Sequence, residues 1–159
     1  MSRRVGVVPL LRVFLVVLFA LVLLLQTSSF PGQFAAMARE DAELAWLRWP
    51  LTGVAVLTLL GFEVVLVATW KLLGMVERDR IFTTDALPWV DLVVRATAAG
   101  GVVFAVGVGL VGLAAQDPGL PLLLFLVLVG IVVVELVVLV LRSLLRQATT
   151  LRSDLEQVI

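Results

Sequence analysis

Four apolar runs, at about residues 5–26, 51–73, 89–115 and 120–141, restrict the fold of this chain more than any other feature. Each is long enough to cross a hydrocarbon core about 30 Å thick as a helix rising about 1.5 Å per residue. A soluble fold would have to hide all four runs inside itself. With 62% hydrophobic residues and a mean hydropathy of +1.16, a chain of 159 residues has too little polar surface to cover them. The expected fold is all-α: a polytopic membrane protein in one membrane domain, a four-transmembrane-helix bundle with a cytoplasmic C-terminal helical extension.

The first run follows Arg3 and Arg4, as a secretory signal would. It is longer than a signal core, and no clean small-x-small cleavage site follows before Thr27, so an uncleaved span is expected. Residues 27–50 form an outside loop in this reading. Phe30-Pro31-Gly32 suggests a turn, and Ala35 to Trp49 a short helix that leads Trp46 and Trp49 to the headgroup level. The second run starts after Pro50 and ends around Trp70, Lys71 and Gly74. A charged connection, residues 74–88, precedes a helix that should start near Asp85 or Leu87, because Pro88 is tolerated only in a first turn. A tight turn is expected at Gln116-Asp117-Pro118-Gly119. No breaker separates the fourth run from the tail, residues 142–159, so one rod of about 60 Å should reach Ile159.

Basic residues fix the orientation. Arg3 and Arg4, then Lys71, Arg78 and Arg80, then Arg142, Arg146 and Arg152 all fall on one side of a four-span chain; the other side has Arg39 and Arg48. Both ends and the middle connection are therefore expected in the cytoplasm (N-in, C-in). Eleven arginines against one lysine suggest a GC-rich bacterial genome, and hence a bacterial inner membrane.

Twelve basic and twelve acidic residues cancel, which argues against direct nucleic-acid binding. The chain has no Cys, His or Tyr, so thiol chemistry, the commonest metal ligand and the usual neutral-pH base are missing. No metal, cofactor or enzymatic activity is expected. Four ionisable residues fall in or near the spans: Arg12, Glu63, Arg95 and Glu135. Charge in hydrocarbon is costly and marks a site with a partner by default. Either arginine could instead snorkel to the headgroups. A carboxylate at Glu63, near mid-bilayer, cannot. One reading is a buried polar cluster of all four residues, with Glu135 paired to an arginine. The other is a neutral, hydrogen-bonded glutamate. A proton- or ion-coupled transporter using Glu63 and Glu135 is the alternative function, weakened by the lack of paired Gly/Pro helix breaks.

Thr97, Gly101, Ala105 and Gly109 recur every fourth residue, a surface on which another span or a second copy could pack closely. In the tail, Leu141, Leu144, Ala148, Leu151, Leu155 and Val158 alternate spacings of three and four. This seam could lie on the middle connection, where Ile81, Phe82 and Trp89 offer apolar groups. It could pair with a partner protein or a second copy, or rest on the inner leaflet.

Three polar segments carry a family resemblance: REDAELAWLRWP from Arg39 to Pro50, RDRIFTTDALPWVD from Arg78 to Asp91, and LLRQATTLRSDLEQVI from Leu144 to Ile159. In order and across nearly the whole chain, they resemble the bacterial four-span membrane family called domain of unknown function 2975 (DUF2975). The resemblance implies no enzyme activity. It implies a membrane partner or sensor for a small helix-turn-helix regulator, because members of that family are often encoded beside one.

Overall fold

The computed structural model describes residues Ser2–Val158, with side chains from Gly6 onward. The side chains of Arg3 and Arg4, and Ile159, lie outside the described residues. Among the described residues every regular element is helical. Four helical stretches are long and apolar enough to cross a membrane: Gly6–Glu40, Ala42–Glu77, Thr84–Ala114 and Gly119–Val158. The fold is an all-α four-helix membrane bundle.

Helix α1 (Ser2–Leu24) does not stop at the end of the first apolar run. A five-residue π-helical turn, Leu25–Ser29, carries it into α2 (Phe30–Glu40). The turn expected at Phe30-Pro31-Gly32 is therefore helix. Pro31 costs a hydrogen bond inside a helix, and widening the preceding turn accommodates it. Within that turn the Thr27 hydroxyl donates to the Leu23 carbonyl at 2.7 Å. The chain breaks instead at Asp41, whose backbone is extended (φ −132°, ψ 105°). Its side chain accepts from Glu43 N at 2.9 Å. The short helix expected over Ala35 to Trp49 is thus divided between the end of α2 and a 3-10 segment, Ala42–Leu47.

Helix α3 (Arg48–Glu77) overshoots Gly74 by most of a turn. Its stop signal is Asp79, the one non-glycine residue with positive φ (53°) among those described. Arg80 N donates to Met75 O at 2.8 Å and Asp79 N to Val76 O at 3.2 Å, so two of the helix's last carbonyls are satisfied by a left-handed cap. A 3-10 turn, Thr84–Ala86, leads into α4 (Leu87–Ala114), with Pro88 in its first turn. Asp117 Oδ2 accepts from Gly119 N at 3.2 Å where α5 begins. Helix α5 (Gly119–Val158) then runs unbroken for 40 residues, about 60 Å.

Packing follows chain order. The most extensive interface joins α3 and α4, the next α4 and α5, while α1 and α2 lie against α3. Leu66 and Trp70 of α3 meet Leu15 and Phe19 of α1. Val54 and Gly61, on the opposite side of α3, meet α4. The bundle is consequently an open row, and no residue in the most apolar stretch of α5 is buried within the chain. Lipid must cover what protein does not. Trp46 and Trp49 stand exposed near one end of α3 and Trp70 near the other. Trp49 and Trp70 lie 21 positions apart on one helix, about 31 Å, which matches one hydrocarbon thickness.

Candidate functional site

Three of the four intramembrane ionisable residues share a depth but not a site, and the fourth, Arg12, lies near Gly74 at the connection end. Gly61 of α3 lies against Ala96 and Gly100 of α4, and Gly101 of α4 against Ile131 of α5. That antiparallel register puts Glu63, Arg95 and Glu135 within about a turn of one another along the membrane normal. The helix faces separate them. Glu63 falls on the α1 side of α3, in line with Leu66 and Trp70. Arg95 opens onto a groove between α3 and α4. Glu135 belongs to the stripe of α5 that turns towards α4, together with Ile131 and Arg142.

No ion pair joins any two of Arg12, Glu63, Arg95 and Glu135 among the described residues. Arg12 reaches towards the connection end instead. It pairs with Glu77 at the end of α3, and its guanidinium lies over the Trp70 ring at 5.2 Å. Its snorkelling direction was legible in the sequence. The acid it meets was not, because that requires knowing that α3 continues past Gly74. Glu63 is 8% exposed, and its Oε1 is buried without a hydrogen-bond partner among the described residues; Glu135 Oε2 is in the same state. The Glu135–Arg pairing considered above is absent, since α4 presents Thr97 and Gly101, not Arg95, to that side of α5.

The small-residue stripe of α4 is used in part. A Cβ at Gly101 would stand 3.3 Å from Ile131 Cγ2, whereas Gly109 faces open space. The closest backbone approach lies on another face of α4. A Cβ at Gly61 would stand 3.2 Å from the Ala96 carbonyl and 3.6 Å from Gly100 Cα. Further along, a Cβ at Gly107 would come within 2.7 Å of Val54 Cγ1. Ala96, Gly100 and Gly107 form a second small stripe, which the four-residue count starting at Thr97 passes over.

The tail brings the largest correction. It does lie along the middle connection, but not by its apolar seam. Arg142 Nε donates to Asp91 Oδ1 at 2.6 Å, Arg146 lies 3.9 Å from Asp91 Oδ2, and Arg152 Nη1 reaches the Asp79 carbonyl at 3.5 Å. Thr149 is 5% exposed on the same side. The inward stripe, Val138, Arg142, Leu145, Thr149 and Arg152, continues the register of the membrane-spanning part of α5. It sits one residue away from the Leu seam, about 100° around the helix. The start of α4 offers an acid, Asp91, and the connection a carbonyl, that of Asp79, so arginines face them. Leu144, Leu151, Leu155 and Val158 remain 54% to 85% exposed, and Phe82 is also exposed; Ala148 alone of the seam is half-buried.

Comparison with known proteins agrees with the polar segments. Residues 32–159 match the family described as protein of unknown function (DUF2975). No curated protein and no solved structure matches the chain.

Proposed function

The chain belongs to the DUF2975 family, and we propose that it is a non-enzymatic protein of the bacterial inner membrane whose C-terminal helix holds a cytoplasmic regulator, of the helix-turn-helix type, at the membrane. One observation carries this reading. The helix that leaves the bundle is docked by its arginine face, and a row of leucines is left uncovered beside it, at Leu141, Leu144, Leu151 and Leu155. A stripe with spacings of three and four is the pattern by which an amphipathic helix engages a groove or another helix. The pairing of Arg142 with Asp91 links that helix to α4, so a change in span packing would alter how the stripe is presented.

N-in, C-in orientation is part of the proposal. Its support is that Lys71, Arg78, Arg80, Arg142, Arg146 and Arg152 gather at one end of the bundle, with Arg39 and Arg48 at the other. The native chain has no cysteine, so single substitutions report cleanly. In intact cells Gln116→Cys should react with a membrane-impermeant maleimide and Ser153→Cys should not; the reverse pattern removes the cytoplasmic partner. The docking test is capture of the full chain in mild detergent together with a co-expressed helix-turn-helix regulator of the kind the family resemblance implies. Leu151→Asp with Leu155→Asp should abolish recovery of the regulator at unchanged membrane levels. Unchanged recovery rejects the stripe as its site.

A second reading, a proton- or ion-coupled transporter, is favoured by the buried, unpartnered oxygens of Glu63 and Glu135. It requires a flux in liposomes that Glu63→Gln eliminates; a parent chain with no flux ends it.

A further inference from the structure

An apolar groove runs between α3 and α4. Its walls are Leu57, Leu60, Val64, Ala99 and Val103, with a volume of about 410 Å³. At its connection end Leu92 and Arg95 also line a second recess of about 430 Å³, shared with Trp89 and Asp91. The result is a long apolar furrow ending in a cationic mouth. The furrow exists because Gly61 and Gly100 bring the two backbones together while Ala96 and Ala99 leave the outer side of the contact unfilled.

The charge at the mouth is not compensated from within. Arg95 has no carboxylate within 4.0 Å among the described residues, and neither has Lys71, whose ammonium lies 6.0 Å from the Trp89 ring centre. Asp91 is the nearest acid in sequence, but Arg142 is bonded to one of its oxygens and Arg146 lies 3.9 Å from the other. Glu77 and Asp85 are likewise taken, by Arg12 and Arg80. Trp89 marks the headgroup level, and Arg95 lies about 9 Å deeper along α4, from where a long side chain can extend towards the mouth.

We propose that this groove binds one anionic phospholipid from the leaflet that meets the middle connection, with an acyl chain along Leu57, Leu60 and Val64 and its phosphate held between Arg95 and Lys71. Unpaired cations at the end of an interhelical furrow favour an anionic over a zwitterionic headgroup. The site needs only that the chain spans a bilayer; it does not depend on any partner of the tail.

Native mass spectrometry of the full chain, exchanged into phosphatidylglycerol or phosphatidylcholine, reads it directly. One phosphatidylglycerol should stay bound per chain, under detergent activation that strips phosphatidylcholine. Arg95→Gln and Lys71→Gln should each weaken retention about fivefold. Arg95→Lys should keep most of it, and Arg80→Gln, remote from the groove, should leave it unchanged. Both cations are exposed, so their loss should not affect folding; an unchanged gel-filtration profile verifies this. Ala99→Leu, which fills the furrow, should expel the lipid with the cations intact. Equal retention of the two lipids, or full retention in both charge variants, overturns the proposal. Displacement by millimolar inorganic phosphate with no effect of Ala99→Leu would reduce the site to a phosphate pocket and overturn the acyl-chain assignment.

Discussion

The α3–α4 and α4–α5 interfaces solve the same problem with different materials. Between α3 and α4, glycine and alanine let the backbones nearly touch, and a Cβ at Gly61 or Gly107 would press on the facing helix. Between α4 and α5 the contact is made by side chains: Ile131 on Gly101 in the membrane, then Arg142 on Asp91 at its edge. Apolar side chains gain little by leaving lipid for protein, so van der Waals contact at close range must stabilise a pair of spans within hydrocarbon. An ion pair is favoured where the membrane ends, because deeper in hydrocarbon the cost of desolvating both ions offsets their stronger attraction. The first interface is therefore expected to be rigid, the second adjustable, and the adjustable one carries the tail.

That contrast is broken most forcefully at Gly61. Gly61→Leu must displace the Ala96 carbonyl, which belongs to a helix backbone and cannot rotate away. A loss of about 2–3 kcal/mol is expected, read as a lowered unfolding midpoint in detergent. Gly109→Leu, into open space on the same bundle, should cost nothing measurable. Similar losses at the two positions would mean that the glycines of this bundle are interchangeable and that the close approach carries no special weight.

Asp91→Asn comes next. Its partners Arg142 and Arg146 stay intact, and Asn can still accept from Arg142, but the charge that strengthens this partly buried bond is lost, for about 1–2 kcal/mol. The effect should be local: proteolysis within residues 143–158 should accelerate while the span midpoint stays almost unchanged. A double-mutant cycle sharpens the point. Asp91 and Arg142 should couple, whereas Glu135 and Arg95 should not, because Arg95 opens onto the α3–α4 groove while Glu135 faces α4 from α5. Coupling between Glu135 and Arg95 would restore the polar cluster that the helix faces separate.

Why some of this was legible in the sequence and some was not follows from the same physics. Span number and the long C-terminal rod depend on apolar length and on the absence of breakers, both local properties. Boundaries set by a single residue were missed where the residue acts through its neighbours. The π-turn before Pro31 absorbs a proline that reads as a turn, and Asp79 ends α3 by a left-handed cap that glycine usually supplies. The tail's docking face does not follow from its apolar seam, which could equally serve a partner or the leaflet. The surface it meets, Asp91 and the Asp79 carbonyl, is polar, and the register inherited from the membrane brings Arg142 and Arg152 to it. At the intramembrane residues, depth could be counted along each helix, but rotation about the axis could not, and rotation decides which charges meet.

The smallest expected effect tests the rigid side of the comparison at its end. Asp79 holds φ at 53° at the position that ends α3, a conformation costly for a side chain and free for glycine. Its carbonyl accepts from Arg152, so the same residue terminates the span and receives the tail. Asp79→Gly keeps that carbonyl and removes the strain, and should raise stability by about 0.5 kcal/mol. Asp79→Val places a branched side chain in the same conformation and should lower it by about 1 kcal/mol or more, unwinding the cap bond from Arg80 N to Met75 O and speeding proteolysis of the tail. If both variants change stability equally and leave the tail's protection alone, the end of α3 does not set the tail's position, and Arg142 on Asp91 is its sole anchor.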